Sequence, residues 1–183
     1  MQITERDLWL LNLYRNSELH GALLMARLAR SVSVPALILG ATRHCATEAA
    51  HAAQLTEVIV ALGGWVDPLA DTIQQHYSKL GGTPAQLVDL LVLSEVLEAR
   101  VVASYREHLR RGDVHPQVRC VLESIIHEEE AHSGGQGWIE TALTRIDPAQ
   151  VLASRSKWSA IDSRVAAALH VELERRFGSG AVA

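Results

Sequence analysis

The sequence predicts an all-α protein: a bundle of four long helices with one long crossover and an extra C-terminal helix. Three observations carry that expectation. Apolar residues recur at three- and four-residue steps, no stretch alternates as a strand does, and the five prolines stand just ahead of apolar periodic runs. Proline has no backbone N–H, but the first turn of a helix has no internal partner for that group anyway. Pro68, Pro84 and Pro148 follow Asp67, Thr83 and Asp147, each a residue suited to capping a helix start.

The first helix is expected over about 4–30, with Leu8, Leu11, Met25 and Leu28 on a recurring face. The second covers about 35–62 and stops at Gly63-Gly64. A connection of about 20 residues follows, with a short helix over 68–77 and a break at Gly81-Gly82. The third long helix spans about 84–111, the fourth about 116–145, and the accessory helix about 148–177. Each bundle helix is roughly 40 Å long at 1.5 Å per residue. Short links make antiparallel hairpins of the first and second helices and of the third and fourth. The longer middle link can travel the length of the bundle and bring the chain back to the same end. Residues 1–183 therefore read as a single domain.

Composition narrows the function. Of 183 residues, 48% are hydrophobic and 21% charged, which is enough for a sizeable core. A net charge of −4 leaves no basic footprint for duplex nucleic acid. Cys45 and Cys120 form neither a disulfide framework nor a Cys-x-x-Cys motif, and read as inert core thiols. No apolar run approaches a transmembrane segment, and the first residues lack the layout of a signal peptide, so a cytoplasmic location is expected. Nine histidines beside only 4% aromatic residues point to polar chemistry.

That chemistry sits on the apolar stripes. The second helix carries Leu37, Ala41, His44, Glu48, His51, Leu55, Val58 and Leu62 on one face. The fourth carries Val118, Leu122, Ile125, Glu129, His132, Gln136 and Ile139. Both stripes are apolar at the ends and interrupted midway by Glu-x-x-His, which sets a carboxylate and an imidazole one turn apart. Glu18 interrupts the first helix between Leu11, Tyr14 and Met25, Leu28; Glu98 interrupts the third between Leu87, Leu91 and Tyr105, Leu109. Charged residues are seldom buried unless paired or bound to metal, and no lysine lies near the middle of any stripe. One Glu from each of two helices and Glu-x-x-His from each of two others is the ligand set of a di-iron or di-manganese centre. Removing those four glutamates from the count leaves seventeen acids against seventeen bases. The acidic surplus is then the charge that two divalent ions would neutralise.

The chain resembles the ferritin-like di-iron carboxylate superfamily over about residues 5–145. Its four glutamates are separated by 30, 50 and 31 residues, similar to the compact oxygen-activating branch that includes demethoxyubiquinone hydroxylases and tRNA-modifying hydroxylases. The resemblance implies two iron ions, with manganese possible. Glu48 and Glu129 match bridging ligands, Glu18 and Glu98 terminal ones, and His51 and His132 the two histidines. It also implies a tyrosine behind the ligands at Tyr105, the one candidate catalytic side chain.

Several points stay open in the sequence. Glu95 rivals Glu98, and Glu128-Glu129-Glu130 leaves the register ambiguous. No aspartate stands beside either histidine to orient its second nitrogen. The run Ser133-Gly134-Gly135-Gln136-Gly137 either opens space beside the metals or ends the helix, since each glycine costs about 1 kcal/mol relative to alanine. His44 reads equally as a partner of Glu48 or as a plain buried histidine. His20, His76, His108, His115, His127 and His170 read as surface residues. The resemblance implies an oxidoreductase that activates dioxygen or peroxide and oxidises a small or hydrophobic organic substrate, fed by an external electron donor. Ferroxidase or peroxide-scavenging activity is the alternative, and a non-enzymatic metal-binding interaction domain a third. A homodimer is compatible with each.

Overall fold

Caps and prolines set most of the helix starts in the computed structural model, which describes residues 3–68, 71–133 and 137–178, with the side chains of 131–133 outside that set. All regular secondary structure among the described residues is helical, without a strand: α1 (Glu5–Ser31), α2 (Pro35–Ala61), α3 (Ile73–Gly81), α4 (Leu87–Leu109), α5 (Pro116–Ser133), α6 (Trp138–Leu143) and α7 (Pro148–Phe177). Thr4 Oγ1 accepts from Asp7 N at 3.0 Å to open α1, and Asp147 Oδ1 accepts from Ala149 N at 3.1 Å ahead of Pro148 in α7. Beyond the end of α2 the chain turns at Gly63, whose φ of 72° lies in the region glycine tolerates best. None of the helices is long and apolar enough to cross a membrane.

The contacts give the direction of each helix. Asp7, near the start of α1, meets His108 in the last turn of α4 and Arg111 just beyond it, at 3.0 and 2.8 Å. Farther along, Glu18 of α1 meets Tyr105 of α4. So α1 and α4 are antiparallel. The short links from α1 to α2 and from α4 to α5 make each pair an antiparallel hairpin, so α2 runs parallel to α4. The long connection, residues 62–86, therefore does return the chain to the same end. It is pinned to α1: Asn12 Nδ2 donates to Trp65 O (3.0 Å), Asn12 Oδ1 accepts from Asp67 N (2.7 Å), and Ser17 Oγ accepts from Ile73 N (2.9 Å).

The core lies inside this arrangement, built on Leu11, Leu28, Leu55, Ile59, Leu91, Leu122 and Ile125, all fully buried. Helix α7 lies along the outside of α4 and also packs on α3. Trp158 is completely enclosed there and donates to Asp89 Oδ1 at 3.2 Å, while Arg100 holds Asp162 through two hydrogen bonds of 2.8 and 2.5 Å.

Three sequence expectations are corrected. The fourth bundle helix does not run through 116–145: α5 ends at Ser133 and a separate α6 begins at Trp138. Gly134, Gly135 and Gln136 lie outside the described residues. No helix starts at Pro68, because the amide and carbonyl of Asp67 are engaged by Asn12 and Asn16; α3 begins instead at Ile73, capped by Thr72. Pro84 precedes α4 by a short extended stretch, with Gln86 at φ −112° and ψ 150° before the first helical residue, Leu87.

Candidate metal centre

Four helices each contribute a carboxylate to one buried point. Glu18 of α1, Glu48 of α2 and Glu129 of α5 are buried, and Glu98 of α4 is nearly so, its side chain 11% exposed. All four line a cavity of about 30 Å³, along with Gly21, Met25, His44, Leu97 and Val101. No lysine or arginine is among its described lining residues. The α1–α2 hairpin closes tightly here, since a Cβ at Gly21 would stand 2.9 Å from the Glu48 carboxyl carbon.

His51, one turn beyond Glu48, is fully buried. Its Nδ1 lies 3.0 Å from Glu129 Oε1 and 3.5 Å from Glu18 Oε2. Glu18, His51 and Glu129 each present a ligand atom within 4.8 Å of the others, so this triad could hold a metal ion. The fit is chemically specific. His51 Nδ1 and Glu98 Oε1 are buried polar atoms that make no hydrogen bond among the described residues, and a cation would satisfy both. Carboxylate oxygen with imidazole nitrogen is also the donor set of a transition-metal site, with no thiolate in the cavity lining.

Around this group the carboxylates are held by neighbours. The Tyr105 hydroxyl, fully buried, donates to Glu18 Oε1. Tyr14 meets the Tyr105 ring edge-on at 4.6 Å and donates its own hydroxyl to Ser104 O at 3.2 Å. His44 Nε2 is 2.8 Å from Glu48 Oε1 and 3.3 Å from Glu98 Oε1.

The charges respond to this crowding. Burial, then the charge and hydrogen bond of Glu18, then Glu129 and Glu98, push the Glu48 carboxyl well above the usual range. Burial, followed by repulsion from Glu129, Glu95 and Glu18, pushes Glu98 up to about 8. For His51 burial opposes the charge, but the nearby Glu129 and Glu18 carboxylates outweigh it and raise the imidazole to about 10. Burial and Glu18 also keep the Tyr105 hydroxyl protonated, well above its ordinary value. Without metal, protons take the place of cations in this cluster.

No family model, curated protein or solved structure matches the chain. The site therefore rests on its own geometry.

Of the residues singled out in the sequence, Glu18, Glu48, His51, Glu98, Glu129 and Tyr105 converge on this cavity or its wall. The His132 side chain lies outside the described residues. Glu95 turns away to Arg155 of α7 at 3.3 Å, and Glu130 pairs with Arg106 on the surface. The sequence offered no aspartate to orient His51, and Glu128 takes that place, its Oε2 3.3 Å from His51 Nε2. Its position three residues after Ile125, at the edge of the stripe, was the available signal. Trp138, which reaches His44, had no such signal, because it lies beyond the glycine run. Two readings away from the site are also corrected. His108 is buried against Asp7 and is not a surface residue, and Cys120 is exposed and is not a core thiol.

Proposed function

We propose that this chain is a ferritin-like di-metal carboxylate oxidoreductase holding two iron ions, or manganese in their place. One observation carries the reading: four carboxylates from four helices meet in a buried cavity whose described lining has no lysine or arginine to balance them. Glu18, His51 and Glu129 would hold one ion, and Glu48 and Glu98, on the same cavity, would serve the second. The chemistry such a pair supplies is electron transfer to dioxygen or peroxide, coupled to oxidation of an organic substrate. The protein's part is preorganisation. Tyr105 fixes one Glu18 oxygen, Glu128 fixes the plane of His51, and Leu97, Met25 and Val101 keep the lining apolar between the ligands.

Anaerobic titration with iron(II) tests the assignment. Close to two ions per chain are expected in the wild type, and Glu48→Ala is expected to abolish binding with helicity retained by circular dichroism. Retention of both ions by that variant would sink the assignment. A second reading, ferroxidase or peroxide-scavenging activity, draws support from the size of the cavity, which at about 30 Å³ admits a water-sized molecule. Catalytic consumption of iron(II) far beyond two equivalents, with no organic acceptor present, would favour it.

A further inference from the structure

We propose that His44 is a positioning residue of this centre: Trp138 locks it as the Nε2–H tautomer, so that it fixes Glu48 by a hydrogen bond and leaves Glu98 open to a metal ion. The inference deepens the reading given above and depends on it for its metal.

The argument begins at Trp138, whose indole Nε1 lies 3.4 Å from His44 Nδ1 in hydrogen-bond geometry. An indole N–H can only donate, so Nδ1 must offer its lone pair. A neutral imidazole then carries its proton on the other nitrogen. That nitrogen, Nε2, faces Glu48 Oε1 at 2.8 Å and donates to it. A protonated Nε2 has no lone pair for a metal, so His44 acts as a donor to the ligands. His51 contrasts with it, because its Nδ1 points between two carboxylates without a hydrogen bond of its own. Glu98 Oε1, only 3.3 Å from His44 Nε2, likewise makes no hydrogen bond among the described residues. It is the oxygen left for a cation.

The lock has a built seat. Gly40 precedes His44 by one turn, as His44 precedes Glu48, so the three stack along one face of α2. A Cβ at Gly40 would stand 2.6–2.7 Å from carbons of the Trp138 indole, so the ring lies directly on bare backbone. Trp138 opens α6, which packs on both α2 and α4. Restarting the helix at Trp138 is therefore what turns an indole back toward the glutamates.

Nitrogen-15 NMR of the metal-free protein reads the tautomer directly. The wild type is expected to show His44 protonated at Nε2, and Trp138→Phe and Gly40→Ala to give a mixture of both tautomers. A wild-type Nδ1–H tautomer, or variants that leave it unchanged, would overturn the lock. Iron(II) titration reads the positioning. His44→Ala is expected to weaken one of the two sites about 10- to 100-fold. His44→Gln, whose amide N–H can reach where Nε2–H stood, is expected to restore it to within a few-fold. If His44→Gln instead loses a whole equivalent of iron, as His44→Ala would at a ligand, the positioning role is wrong. Failure of the wild type to bind iron(II) would overturn the metal reading and the positioning role with it, while the NMR result decides the lock by itself.

Discussion

At Gly21 a Cβ would stand 2.9 Å from the carboxyl carbon of Glu48, so local helix preference and the needs of the site conflict at this residue. Alanine is the better helix former by about 1 kcal/mol. Gly21→Ala is therefore expected to leave the melting temperature of the metal-free protein within a few degrees of wild type, while iron(II) affinity falls about 10-fold. Calorimetric titration beside a thermal melt separates the two effects, and unchanged affinity would show that Glu48 gives way freely. The protons of the cluster make a second prediction. His51 is raised to about 10 and Glu98 to about 8, so both hold protons at neutral pH. Loading iron(II) at pH 7 is expected to displace about two protons per chain, and affinity is expected to rise between pH 7 and 8. A pH indicator in weak buffer measures the release, and loading without it would contradict the protonation pattern.

Among the elements, the connection between α2 and α4 depends on α1 for its shape. Asn12 alone satisfies a carbonyl at Trp65 and an amide at Asp67, while Gln74 Nε2 donates to Ser17 O at 2.9 Å. Asn12→Ala leaves the part-buried Trp65 carbonyl and Asp67 amide without this partner and is expected to destabilise by about 1 kcal/mol in urea unfolding. Periodicity and proline placement revealed α1, α2 and α7 almost to the residue, because their ends are set by local caps. They misplaced the starts of α3 and α4, and ahead of α3 the chain is held by partners distant in sequence. Asp67 looks like a helix cap beside Pro68, yet its backbone groups are engaged by Asn12 and Asn16. The candidate site was similarly readable to one layer. Inward-facing glutamates interrupt apolar stripes, which a helical repeat exposes. What holds them, Glu128 against His51 and Trp138 against His44, depends on how helices are rotated and where α6 restarts. Trp138 is encoded in no spacing, and Glu128 left only its place at the edge of the α5 stripe.

For the whole molecule, the buried protons link stability to pH. The ordinary values are 4.5 for Glu98 and 6.5 for His51, against about 8 and about 10 when folded. Between 6.5 and 8 the folded state therefore holds more protons than the unfolded one, and stability falls as pH rises. Metal-free protein in chelator is expected to melt at a lower temperature at pH 8 than at pH 6.5. Protection by metal is expected to be greatest at the alkaline end, where fewer protons compete for the ligands. Calorimetric scans across that interval, with and without metal, check both, and a melting temperature that climbs with pH would contradict the direction.

The division of the carboxylates between two hairpins also bears on the order of events in folding. Glu18, Glu48 and His51 belong to α1–α2, whereas Glu98 and Glu129 belong to α4–α5. Each hairpin can close through local contacts, which form fast. An ion that needs ligands from both can grip only after the two halves have met. Metal is then expected to slow unfolding in stopped-flow experiments and to leave the refolding rate unchanged. A refolding rate that rises with metal would mean that the halves are already docked at the rate-limiting barrier.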